Sequence, residues 1–221
     1  GTREVTGGNT LTATGITAYG GSLQVDAGAV LDFTGHPVYA GVGAVNGTIG
    51  VANSGTQALL LSGGTLLVTG GTLDAAPGQA NGDGGKIAIG VAGSGTPAVA
   101  TIQSSGPNAG VVTDSYAVVG ADATSFGVLT LNGNVAWTDA IDLNDPLNSR
   151  GYMVVGYNSQ AGNDGTLAPP AIAAGATLTI ENGATLTDTH AYIGQADSAG
   201  TVTVSSGGVW NIGLAAGGYL D

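Results

Sequence analysis

The chain has 221 residues, with 3 basic side chains against 15 acidic ones and a formal net charge of −12. That balance argues against a nucleic-acid partner, because phosphate neutralisation needs clustered Lys and Arg, and it disfavours anionic membrane surfaces. Apolar residues make up 43% and charged residues 8%, whereas disordered chains pair low hydrophobicity with high net charge. Cysteine is absent, so no disulfide frame is available, and no apolar run approaches the roughly 18 residues of a membrane span. No signal-peptide pattern opens the chain. Both ends lie inside patterned sequence (GTREVTGG, LAAGGYLD), which reads as a fragment of a longer protein.

Helix signals are nearly missing. Glu, Lys, Arg and Met total six residues, and 42 glycines punctuate every segment. In chain order, short segments of four residues alternate or run apolar: SLQV at 22–25, TLLV at 65–68, VLTL at 128–131, TLTI at 177–180 and TVTV at 201–204. Gly, Asn, Asp or Ser stands at or within two residues of each end, the mark of a strand between turns. Residues 76–86, 103–110, 139–150 and 157–171 break the pattern and are expected to loop out. No linker divides the chain, so 1–221 is read as one domain.

Five phrases of a β-branched residue followed by Gly organise these segments: Ile49-Gly50, Ile89-Gly90, Val119-Gly120, Val155-Gly156 and Ile193-Gly194. Two copies are nearly identical, IGVANSGT at 49–56 and IGVAGSGT at 89–96. A repeat spaced by tens of residues points to stacked units. Antiparallel hairpins could use the same strands in a sandwich or barrel, but near-exact repetition favours a parallel β-solenoid, in which like residues stack on like. Ile49, Ile89, Val119, Val155 and Ile193 are then one inward ladder. At roughly 20–25 residues per turn, about nine to eleven rungs are expected.

Candidate chemistry is sparse. Only His36 and His190 could supply imidazole, and no His-Glu-x-x-His pattern or nucleophile elbow is present. The densest acidic cluster is Asp139, Asp142 and Asp145, followed by Arg150, Tyr152 and Tyr157. Those six residues are the candidate ligand patch. Carboxylates within 139–148 could hold Ca²⁺ through oxygen ligands, or act as acid and base on a glycoside; a solvated loop is the plainer reading. Thr-x-Thr pairs at 177–179 and 201–203 put hydroxyls on one strand face. Trp137 and Trp210 each follow a strand by six residues, a placement suited to covering a corner or stacking in the core.

The phrases VGADATSFGVLTLNGNVAWT at 119–138 and IGQADSAGTVTVSSGGVWN at 193–211, with the lead-in GATLTIENGATLTDTHAYIG at 175–194, carry a resemblance. They resemble repeats of the adhesin-type passenger domains of bacterial autotransporters, the type V secretion proteins. The likeness is good over 111–221 and looser over 1–110. It implies a right-handed parallel β-helix with three faces per turn, displayed at the bacterial surface or secreted, and anchored through an outer-membrane barrel. The implied role is adhesion to a host surface protein or glycan, or self-association between cells, as in biofilms; with no nucleophile elbow or zinc motif among the residues, neither enzymatic activity nor a cofactor is expected. A stalk presenting a more N-terminal binding domain is the alternative, and a polysaccharide-acting β-helix enzyme is a third. The family pattern is structural and transfers no binding residue.

Overall fold

The computed structural model describes residues 2–12, 17–19, 22–28, 30–32, 38–41, 58–61, 64–74, 86–90, 97–114, 116–120, 126–139, 151–157, 175–195, 199–213 and 219–220. Its regular elements are strands, and they come in successive triplets. The first two are β1 (Thr2–Val5), β2 (Thr10–Thr12), β3 (Thr17–Tyr19), and β4 (Ser22–Val25), β5 (Val30–Asp32), β6 (Val38–Gly41). After a lone β7 (Ala58–Leu61) come β8 (Gly64–Thr69), β9 (Thr72–Asp74), β10 (Lys86–Ile89), and β11 (Ala98–Ser104), β12 (Gly110–Asp114), β13 (Tyr116–Val119). Then follow β14 (Gly127–Gly133), β15 (Val135–Asp139), β16 (Tyr152–Tyr157), and β17 (Ala176–Glu181), β18 (Thr185–Asp188), β19 (His190–Gln195). The last triplet is β20 (Gly200–Val204), β21 (Val209–Ile212), β22 (Tyr219–Leu220).

The members of a triplet go to three different sheets. Sheet A stacks β1-β4-β8-β11-β14-β17-β20, sheet B stacks β2-β5-β9-β12-β15-β18-β21, and sheet C stacks β3-β6-β7-β10-β13-β16-β19-β22. The neighbours pair in parallel, as in β11 with β14, β12 with β15 and β13 with β16. The chain thus winds as a coil of parallel strands, the solenoid arrangement rather than antiparallel hairpins. The described strands fill seven levels on two faces and eight on the third. Turn length varies along the coil: Arg3 pairs with Leu23, but Val128 pairs with Thr177 across a far longer excursion.

Alternation sets the core. In β11, β14 and β17 every second residue is buried, giving the inward columns Ala100, Leu129, Leu178 and Ile102, Leu131, Ile180. Adjacent levels stand about 4.8 Å apart, so each buried aliphatic packs on its counterpart above and below, and the core is a stack of apolar columns.

Sheet C behaves differently. Ala117, Val119, Met153 and Val155 face the core, yet Ala88, Val118 and Val154, on the opposite face, are each only 1% exposed. Strands covered on both faces carry near-continuous apolar runs, which is how KIAI, YAVV and YMVV read.

The recurring phrase has a physical cause. Ile89, Val119, Val155 and Ile193 stand in register at one column of sheet C, below Leu61; Ile49 lies outside the described residues. The glycine that follows each has a positive φ, 83° at Gly90, 72° at Gly120, 82° at Gly156 and 75° at Gly194; it ends β10 and β13, and β16 and β19 run one residue past it. That left-handed region penalises any residue with a Cβ. The Gly120 amide donates to the Ile89 carbonyl at 2.7 Å, and Gly90 does the same to Leu61 at 2.7 Å, so the corners stack as the strands do. Residues 105–109, expected to loop out, form a compact corner between β11 and β12, with Ser104 buried before it.

Candidate functional site

The corner between sheets B and C collects the unusual side chains. β12, β15 and β18 end in Asp114, Asp139 and Asp188, each two residues beyond an inward apolar residue (Val112, Trp137, Leu186). Period-two alternation therefore turns all three carboxyls inward. Asp114 pairs directly with Asp139. Asp188 follows Thr187, the partner of Thr138, and so continues the column one level on. Their exposures are 0%, 2% and 1%.

Two indoles serve the column. Trp137, 1% exposed, donates its Nε1–H to Asp114 Oδ1 at 3.1 Å and to Asp139 Oδ1 at 2.8 Å. Trp210 lies in register with Leu186, two levels from Trp137, and donates to Asp188 Oδ2 at 2.7 Å. Asp114 Oδ2, Asp139 Oδ2 and Asp188 Oδ1 are buried without a donor. Loss of hydration pushes Asp114 up to about 6 and Asp188 up to about 7, against the pull of the indole donors. Burial raises Asp139 well above the carboxylate range, and the neighbouring charge of Asp114 adds to that. The interaction between the two carboxyls raises Asp139 and lowers Asp114, so the pair favours a proton on Asp139.

Asp139 is thus a core residue at the end of β15, a correction to its place in a solvated acidic loop. An acid at a strand end looks like a turn residue in sequence, but its parity with Val135 and Trp137 sends it inward. Asp142, Asp145 and Arg150 lie outside the described residues, as does the rest of the 140–150 segment. Its two ends meet, however: a Cβ at Gly151 would overlap the Asp139 carbonyl oxygen. Gly151 then locks onto the next corner, its carbonyl accepting from Thr189 N at 3.2 Å, His190 N at 3.0 Å and Thr189 Oγ1 at 2.8 Å.

Tyr152 opens β16 on the outward face of sheet C, half-buried. Its ring centroid is 5.9 Å from Tyr116, 5.5 Å from His190 and 6.0 Å from Tyr192, the last nearly parallel at 17°. These four rings span three levels. Tyr116, His190 and Tyr192 are not in the six-residue ligand patch, although a signal exists: Tyr116, Tyr152 and His190 each stand three residues before the β-branched residue of the repeated phrase. Only the backbone of Tyr157 is described; it pairs with Gln195. The six candidates therefore divide between a buried acid column (Asp139), an outward aromatic cluster (Tyr152) and segments outside the description.

The aromatic cluster offers ring faces and hydroxyls that suit stacking on a sugar or another aromatic group. Among the described residues, no group of three or more His, Cys, Asp or Glu is arranged to hold a metal ion. The 139–148 segment proposed for Ca²⁺ is described only at Asp139. Comparison of the chain with family models, with curated proteins and with solved structures finds no match.

Proposed function

We propose that this chain is part of an exported bacterial surface protein of the autotransporter passenger kind, and that it acts in adhesion to host surfaces or in cell–cell association. On this reading residues 1–221 form one right-handed solenoid, held at the cell through an outer-membrane barrel. The observation that carries the reading is the continuity of the coil, with strands from successive turns stacked in parallel on each of three faces. Such a rod repeats its surface chemistry at a fixed step. The outward column Thr101, Thr130, Thr179, Thr203 on sheet A is one instance, and the Tyr116 and Tyr152 rings, paired on neighbouring strands of sheet C, are another. Many weak identical contacts gain strength through effective concentration when the rod is displayed in many copies. The mechanism is contact without catalysis and calls for no cofactor.

The partner is a host protein or glycan, or another copy on a neighbouring cell. The test is binding of the labelled chain to panels of cells, matrix proteins and glycans, with an unrelated solenoid of equal length as control. Saturable binding to one class that weakens severalfold in Tyr152→Ser supports the reading. Binding no greater than the control refutes it and leaves the stalk alternative.

A further inference from the structure

We propose that the Asp114–Asp139–Asp188 column is a proton-holding spine inside the coil, so that acid tightens the levels from β12 to β18 and neutral or alkaline solution loosens them. The argument starts from geometry. Three carboxyls on consecutive levels face inward at the same corner, each at most 2% exposed. Neighbouring strands put Asp114 and Asp139 about 5 Å apart at the backbone. Three anions cannot share that space without water. Each has one oxygen held by an indole N–H and one with no donor. A proton on a carboxyl converts such an orphaned acceptor into a hydroxyl and removes the charge.

Among the described residues, the inward positions around the column carry no cation. Across the corner, β13, β16 and β19 begin with Tyr116, Tyr152 and His190, but Ala117, Met153 and Ala191 take their inward positions. Tyr192 shares the outward face of sheet C with those rings. Inward residues of β9, β11, β14 and β17 are Leu73, Ile102, Leu131 and Ile180. Beyond Asp188 the column continues in Ile212. Asp74 pairs with Thr113, out of phase with the column, and Lys86 pairs with Tyr116 on sheet C. Arg150, next to Gly151 in sequence, lies outside the described residues.

The direction of the effect follows from linkage. Folded-state values above the unfolded ones mean that the folded chain binds more protons. The stabilisation is whole below about pH 4, where unfolded Asp is itself protonated, and is lost as pH rises through about 6 to 7. From Asp114 alone the unfolding constant should rise roughly a hundredfold across that window.

The experiment is denaturant unfolding of the 221-residue chain from pH 4.5 to 8, followed by the fluorescence of Trp137 and Trp210, which report on the column itself. Relief of general repulsion on a chain of net charge −12 also favours acid, so the pH slope is compared among variants. Asp139→Asn and Asp188→Asn are expected to lose at least about tenfold of the pH dependence and to gain on the wild type as pH rises. Glu181→Gln, which removes an outward acid of β17, is expected to keep the slope. Slopes unchanged in both Asn variants, or reduced equally in Glu181→Gln, would overturn the proposal. Should the Asn variants not fold, infrared difference spectra of the wild type decide. A protonated-carboxyl band in the folded chain that weakens between about pH 6 and 7, as Asp114 and Asp188 ionise, supports the spine; its absence at pH 5.5 refutes it.

Discussion

Replacing Trp137 by Phe tests the most demanding contact in the core. Trp137 is the largest of the fully buried side chains, and its single N–H serves two carboxyls at 3.1 and 2.8 Å. Phe keeps most of the apolar contact but removes the donor. A hydrogen bond to a charged group contributes about 1.5–3 kcal/mol net, and one N–H shared between two acceptors counts as roughly one such bond. The smaller ring leaves a void worth about 1–2 kcal/mol more. The sum is about 2.5–5 kcal/mol, a large share of the roughly 5–15 kcal/mol that holds a typical fold together. At about 2–4 °C per kcal/mol for a chain of this size, Tm falls by roughly 5–20 °C. Trp210→Phe is the internal comparison. Trp210 is half-exposed and has one bond, at 2.7 Å, to Asp188, so its loss should cost about 1–2 kcal/mol. Urea unfolding monitored by circular dichroism, with the remaining indole as a second probe, gives both values. Because the indole favours the ionised carboxyls, the Trp137→Phe penalty should also grow between pH 4.5 and 7.5. A penalty below about 1 kcal/mol, or one smaller than that of Trp210→Phe, would refute the assignment of the indole as the column's principal donor.

Two further substitutions probe the coil itself. Gly90→Ala places a Cβ 2.7 Å from the Phe126 carbonyl oxygen at a φ of 83°, whereas Gly8→Ala meets nothing within 4 Å at a φ of 77°. The first should cost about 3 kcal/mol or more and the second about 1–2, the bare backbone term; equal midpoints in urea would show that packing at the corner is not tight. Leu129→Ala, at a fully buried position between Ala100 and Leu178, should cost about 2–5 kcal/mol. Val204→Ala, 45% exposed on the last level of sheet A, should cost under about 1 kcal/mol by the same measurement.

Much of the coil is legible in the residues. The pairing of Ile89, Val119, Val155 and Ile193 follows from the repeated phrase, because an inward β-branched residue and a glycine that must turn left-handed recur together at each level. The matched spacing of Trp137 and Trp210 likewise places them in one column. Val118 and Val154 were less legible. Alternation alone sends them to solvent; only the near-continuous apolar runs YAVV and YMVV signal a sheet covered on both faces. The aromatic cluster is half legible: Tyr152 stands beside the acidic segment, while Tyr116 and His190 join it only through the register of β13, β16 and β19.

The sequence by itself determined the strand period, the corners and the parallel stacking, since these rest on local alternation and on glycines whose backbone conformation other residues resist. The tertiary structure decided what each polar group experiences. Asp114 sits at the end of its strand in VTD, Asp139 in WTD and Asp188 in LTD, and any of them could have been a solvated turn residue. Their ionisation depends on neighbours 22 to 25 residues away in sequence, such as Trp210 for Asp188 and Asp139 for Asp114. Burial and electrostatics are properties of the stack, and a strand acquires them only when the levels above and below it close over its side chains.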